Sequence, residues 1–126
     1  MDIQLYLEPL SQHYDTVPYG AKSKTLGKSM TIYSAKGSFP DLDHIHIALI
    51  GVKEERWAIQ NEGCANGVDV IRKYLYDLFL PSNKIKIADL GNIISGHTVN
   101  DTYFALSKVL AALMHQGILP VIIGGS

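Results

Sequence analysis

The chain has 126 residues, a hydrophobic share of 47% and a formal net charge of −1. That is one domain's worth of sequence, or part of a larger one, with ample apolar material for a core. The near-zero charge excludes a strong field recruiting nucleic acid or an anionic membrane, and no apolar run approaches the ~18 residues of a membrane span.

The start, Met1-Asp2-Ile3-Gln4, lacks the basic flank and apolar core of a signal peptide. Residues 1–43 read as an extension packed over the core, held by Leu5, Tyr6, Leu7, Leu26 and Ile32. Only Met30-Thr31-Ile32-Tyr33 looks strand-like there, and Ser38-Phe39-Pro40-Asp41 reads as a turn. Within the extension, Gly20-Ala-Lys-Ser-Lys-Thr-Leu-Gly27-Lys28-Ser29 imitates a phosphate-binding P-loop. It has six residues between its glycines where the motif needs about four, and no apolar strand precedes it. A flexible basic loop is the better reading.

From residue 44 to residue 126 the pattern becomes βαβαβ. The first strand is 45–52, with Ala48-Leu49-Ile50 apolar throughout. Asp41, Asp43, His44 and His46 gather at its amino end, and the two histidines share one strand face, which permits shared metal ligation. That is the wrong end for an α/β active site, so a solvated strand entrance is preferred. The polar loop 53–66 leaves the carboxyl end and is long for a βα connection. Charged and amide groups on such a loop can orient a polar substrate. The alternative is a solvated loop with Trp57 pinned to the surface. Cys64 is the single cysteine, which excludes an internal disulfide and suits a reducing cytoplasm. No histidine is placed beside it to act as a base, so it is not read as a nucleophile.

A helix over 67–79 would bury a stripe of Val68, Ile71, Leu75, Leu78 and Phe79, with Asn66 as N-cap and Asp69 at the positive end of the dipole. Pro81 and Ser82-Asn83 end it. The second strand, 84–88, alternates lysine with isoleucine and reads as an edge strand, with Asp89-Leu90-Gly91-Asn92 leading out of it. A helix over 100–116 would bury Tyr103, Leu106, Leu110, Leu113 and Met114. Thr98 or Asn100 can cap it, and Gly117 is placed as its left-handed terminator. His13, His97 and His115 stand alone, the last where a positive charge favours the helix dipole. The third strand, 119–123, is apolar on both faces and ends in Gly124-Gly125-Ser126, where the backbone can turn and approach a ligand. Strands joined by helices imply parallel pairing, in the order second, first, third.

Several segments fall in one order: Ile47-Ala-Leu-Ile-Gly-Val-Lys-Glu-Glu-Arg56, Asn61-Glu-Gly-Cys-Ala-Asn-Gly67, Ile71-Arg72-Lys73, Ala88-Asp-Leu-Gly-Asn-Ile93 and residues 119–126. Together they resemble the front part of the ureohydrolase family of arginase, agmatinase and formimidoylglutamase. The Glu54-Glu55-Arg56 loop and the Asp101-Thr-Tyr-Phe-Ala-Leu106 helix look most like the formimidoylglutamase branch. The resemblance covers residues 45–126. It implies a three-layer α/β/α sandwich, present here in part. It also implies two manganese ions that activate a hydroxide against the planar carbon of a guanidino or formimino group. It places Gly124, Gly125 and Ser126 at the turn beside the active site, with Ser126 where the family usually has Asp. Arg56 and Asn61 fall on a loop flanking the family's active-site mouth, which makes them candidate substrate contacts. No catalytic residue and no metal ligand carries over. There is no Asp-Ala-His-x-Asp and no later Asp-x-Asp, and Asp89 and Asp101 do not match ligand positions.

The reading is therefore the amino-terminal portion of a hydrolase of linear amidines, inactive by itself, soluble and cytoplasmic, with a small amidine as the parent's substrate. No cofactor is assigned to these residues, and no nucleic acid or membrane partner is expected. The uncharged third strand leads us to expect a homo-oligomer. The rivals are an α/β module that binds a small ligand or nucleotide at Gly124-Gly125, which would need a following helix for its dipole, and a non-catalytic interaction domain.

Overall fold

The computed structural model describes residues 2–11, 25–80 and 84–124. Five strands form one mixed sheet: β1 (Leu7–Glu8), β2 (Thr31–Ile32), β3 (Ile47–Val52), β4 (Ile87–Ile93) and β5 (Leu119–Gly124). The path runs β1-β4-β3-β5, with β2 also on β4. β3 pairs in parallel with β4 on one side and with β5 on the other. β2 runs parallel to β4, and β1 runs antiparallel to it. The α/β class is as expected, but the sheet is larger than the all-parallel, three-stranded one expected, and its full order differs. The amino-terminal segment supplies strands to it. Leu7 and Leu10 are buried, whereas Leu5, expected to hold the extension down, is exposed.

β4 corrects the expected 84–88 edge strand. Lys84 and Ile85 precede it, and it runs on through Asp89, Leu90, Gly91 and Asn92, all buried. It is an interior strand because β3 lines one side and β1 and β2 share the other. Its register against β3 slips: Leu49 faces Asp89, but Gly51 faces Asn92. The extra residue makes a β-bulge, and Gly91 takes the left-handed backbone (φ 80°) that it requires. Strict alternation would put Asp89 and Asn92 on opposite faces. The bulge puts both on one face, and Ala88, Leu90 and Ile93 on the other.

Helix α3 (Val99–His115) covers the second of these faces. Ala105, Val109 and Leu113 pack on Ala48, Ile50, Ala88, Leu90 and Ile93. Of the expected stripe, Leu113 is buried and Leu106 and Leu110 pack half-buried on the core, whereas Tyr103 and Met114 are exposed, Met114 by 66%. Thr98 caps the start reciprocally with Asp101, and Gly117 ends the helix in the left-handed conformation (φ 76°), both as expected.

Helix α2 (Gly67–Leu75) lies on the Asp89 face. It buries Val68, Arg72 and, one residue past its end, Tyr76, at a spacing of four that lines one helical face. The expected stripe is corrected here: Ile71, Leu78 and Phe79 are exposed, and the helix stops at Leu75. Asn66 makes no side-chain cap. Instead, the Glu55 carboxylate accepts from the Gly63 and Ala65 amides and fixes the short 3-10 turn (Cys64–Asn66) that leads in. Thr25 and the one-turn helix α1 (Leu26–Ser29) are the described part of the P-loop-like stretch; residues 20–24 fall outside the described residues.

β5 departs from expectation in its burial, not in its place at the end of the sheet path. It is an outer strand of the sheet, paired only with β3 among the described residues. Leu119, Val121 and Ile122 are exposed, and only Ile123 is buried. No described helix is long and apolar enough to cross a membrane.

Candidate functional site

β3 and β4 are parallel neighbours whose outgoing connections diverge. Residues 53–66 lead to α2 on one face, and residues 94–98 lead to α3 on the other. In open α/β sheets, ligands bind outside the carboxyl ends of such a strand pair. Two ion-pair clusters are built there.

The first closes the mouth between the diverging loops. Glu54 is buried, and its carboxylate accepts from Arg56 Nε (3.0 Å to Oε2), from Arg56 Nη2 (2.5 Å to Oε1) and from the Arg56 amide (3.0 Å). Those bonds hold the Glu54 carboxyl at about 2, well below the ordinary 4.5; the Arg56 side chain is the main cause and outweighs burial, which acts the other way. Arg56 also donates to the His97 carbonyl (2.9 Å) and to Thr102 Oγ1 (3.1 Å). Thr102 Oγ1 in turn accepts from the Gly96 amide. One arginine therefore ties the exit of β3 to the entry of α3. Trp57 lies edge-on to Tyr103 across the same gap, 6.2 Å between centroids.

The second lies beneath α2. Arg72 and Asp89 are both fully buried. They make a bidentate pair, Nε to Oδ2 and Nη2 to Oδ1, each 2.9 Å. Arg72 also donates to Asn92 Oδ1 (2.5 Å) and to the Gly91 carbonyl (2.7 Å). Asp89 further accepts from the Tyr76 hydroxyl (2.6 Å) and the Gly91 amide (3.0 Å). The bulge makes this network possible, and Gly51 leaves room for it: a Cβ there would collide with Asn92 Oδ1 and stand 2.8 Å from Arg72 Nη1. Beside it, Lys53 pairs with Asp69 at 2.7 Å. A cavity of about 200 Å³ is lined by Glu8, Leu10, Lys53, Asp69 and Asn92, among others.

Of the residues singled out in the sequence, Arg56 lies at the mouth, held largely by internal bonds. Asn61 is exposed in the loop, and its carbonyl accepts from the Cys64 amide; no hydrogen bond joins it to Arg56. Gly124 ends β5 with open space around it, and Gly125 and Ser126 lie outside the described residues. Asp41, Asp43 and His44 line a separate cavity at the amino ends of the strands, and His46 Nδ1 accepts from the Lys86 amide. The sequence reading missed Glu54 as a partner, and it gave Arg72, Tyr76, Asp89 and Asn92 no role in a buried network. The available signal was an aspartate inside an apolar run, Ala88-Asp89-Leu90, which demands a buried cation.

The carboxylates at this end do not fit a manganese pair. Asp89 has both oxygens doubly engaged, Glu54 is held by Arg56, and Asp69 is paired with Lys53. Among the described residues, no three His, Cys, Asp or Glu groups converge to hold a metal. Fold and site together define an α/β protein with a polar crevice at the carboxyl ends of its parallel strands. No family model, curated protein or solved structure matches the chain.

Proposed function

We propose that this chain is the amino-terminal portion of a ureohydrolase-like enzyme, a partial α/β/α sandwich of the arginase type, that hydrolyses a C–N bond in a guanidino or formimino compound. The observation that carries the reading is the position of loop 53–66. Its Glu54-Glu55-Arg56 segment, part of the resemblance, stands at the crevice where an open α/β sheet receives its ligand. In this reading the chain supplies one wall of the site. Arg56 keeps a partly exposed guanidinium that can meet a substrate carboxylate, and Asn61 offers an amide from the same loop. The metals, with the bridging hydroxide they would supply, depend on ligands outside these 126 residues. The parent is placed in the cytoplasm and, through the uncharged edge of β5, in a homo-oligomer.

The test is turnover with manganese present, using arginine, agmatine and formiminoglutamate and following urea or formamide. The 126-residue chain should be inactive. A longer chain that includes any residues encoded after Ser126 should hydrolyse one of these amidines. Turnover by the short chain, or a longer chain without converging histidine and aspartate motifs, would overturn the proposal.

A further inference from the structure

The buried amide of Asn92 makes only half of its hydrogen bonds to protein. The residue is 7% exposed, and its Oδ1 accepts from Arg72. A guanidinium only donates, so the oxygen must face Arg72 and the NH2 group must face the other way. No described residue accepts from that NH2. It is directed into the cavity of about 200 Å³ that Asn92 helps to line. The NH2 is open to the cavity and not sealed off, since Thr25 Oγ1 is the one buried side-chain polar atom without a partner among the described residues; it can therefore donate to whatever fills that space.

The other groups around the cavity define what that something is. Lys53 gives one ammonium bond to Asp69 and has further N–H groups to offer. The Glu8 carboxylate has no hydrogen-bond or ion-pair partner among the described residues, although its backbone is paired with β4. The wall therefore presents Asn92, Lys53 and the Ser11 hydroxyl as donors, the Asp69 carboxylate already engaged by Lys53, and the carboxylate of Glu8. The complement is a molecule with a carboxylate for the donors and an ammonium for Glu8. At about 200 Å³ the space is smaller than the ~300–1,000 Å³ pockets that take drug-sized ligands, so its occupant is small.

We propose that this cavity is a binding site for a small free α-amino acid, its carboxylate on Asn92 and Lys53 and its ammonium on Glu8. The Arg72–Asp89 pair lies outside the contact shell. It acts as a positioning device: by taking the Asn92 oxygen it turns the NH2 group inward. The proposal does not rest on the hydrolase reading, and its test involves no turnover.

Isothermal titration calorimetry of the chain with alanine, serine, acetate and methylammonium at neutral pH decides it. Alanine or serine should bind at least about tenfold more tightly than acetate or methylammonium, since only the zwitterion meets both poles. Glu8→Gln, an exposed change, should weaken amino-acid binding about tenfold or more with an unaltered thermal unfolding curve. Asn92→Asp keeps an oxygen for Arg72 and replaces the inward NH2 with an acceptor, so binding should be lost. Should that variant fail to fold, Lys53→Met and Glu8→Gln carry the test. The absence of amino-acid binding to the unaltered chain, acetate binding as tightly as alanine, or unchanged affinity in Glu8→Gln would each overturn the proposal.

Discussion

Replacing Asp89 with alanine should be among the most damaging single changes in this chain. The substitution removes both carboxylate oxygens from a fully buried Arg72, leaving it the Asn92 and Gly91 oxygens but no counter-charge from Asp89, and it strips acceptors from the Tyr76 hydroxyl and the Gly91 amide. Stranding one member of a buried pair costs about 3–5 kcal/mol. Domains of this kind hold about 5–15 kcal/mol in total. At about 4 °C per kcal/mol, the melting temperature should fall by about 12–20 °C. Urea unfolding followed by far-UV circular dichroism measures the loss. The double replacement Arg72→Met, Asp89→Leu removes both charges, and apolar pairs often do as well as the ions they replace. It should be more stable than Asp89→Ala alone. A loss below about 1 kcal/mol in Asp89→Ala would refute the reasoning, as would a double variant as unstable as the two single changes summed.

The Glu54 carboxyl, lowered to about 2 in the folded chain from an ordinary 4.5, makes a stabilising contribution that is fully present above the unfolded value and is lost as pH falls through the folded one. Melting temperature should therefore decline between pH 4.5 and pH 2, and Glu54→Gln should flatten that decline, as read by a pH series of thermal melts. Gly91→Ala should separate β1 from β4, because a Cβ there collides with the Glu8 carbonyl and the backbone is left-handed; amide exchange at Glu8 and Ile94 would rise sharply. Homo-oligomerisation through β5 predicts concentration-dependent sedimentation, relieved by Ile122→Lys on the exposed strand; a monomer at all concentrations would dismiss it.

The parts of the fold legible in the sequence were those written in local chemistry. The apolar core of β3, the Thr98 cap and the Gly117 terminator need no distant partner to be recognised. β4 was misplaced because Asp89, Gly91 and Asn92 are turn formers by composition. They sit inside a strand only because Arg72 arrives from a helix and pays for the buried carboxylate. The face of α2 was misjudged for the same reason. Counting apolar residues favoured Ile71, Leu78 and Phe79, whereas the buried line runs through an arginine and a tyrosine. At the site, loop 53–66 and Arg56 were visible from length and charge. The Glu54 partner was not, because its burial follows from its place directly after the central strand.

Fold and candidate site meet at a single backbone irregularity. The bulge at Leu90-Gly91 turns Asn92 toward α2, and that face then holds Asp89 and Asn92 within reach of one guanidinium. Arg72 can reach both because Gly51, opposite them on β3, has no side chain. Two glycines on neighbouring strands thus create the room and the direction, and one arginine uses them. The arrangement fixes the exit of β4, the position of α2 and the orientation of an amide facing a polar cavity through shared atoms. A change at Gly51 should therefore not lower stability while sparing the cavity. Any side chain there pushes on Asn92 and Arg72 together, so packing and binding must fail as one unit, in keeping with the non-additive behaviour of residues in direct contact.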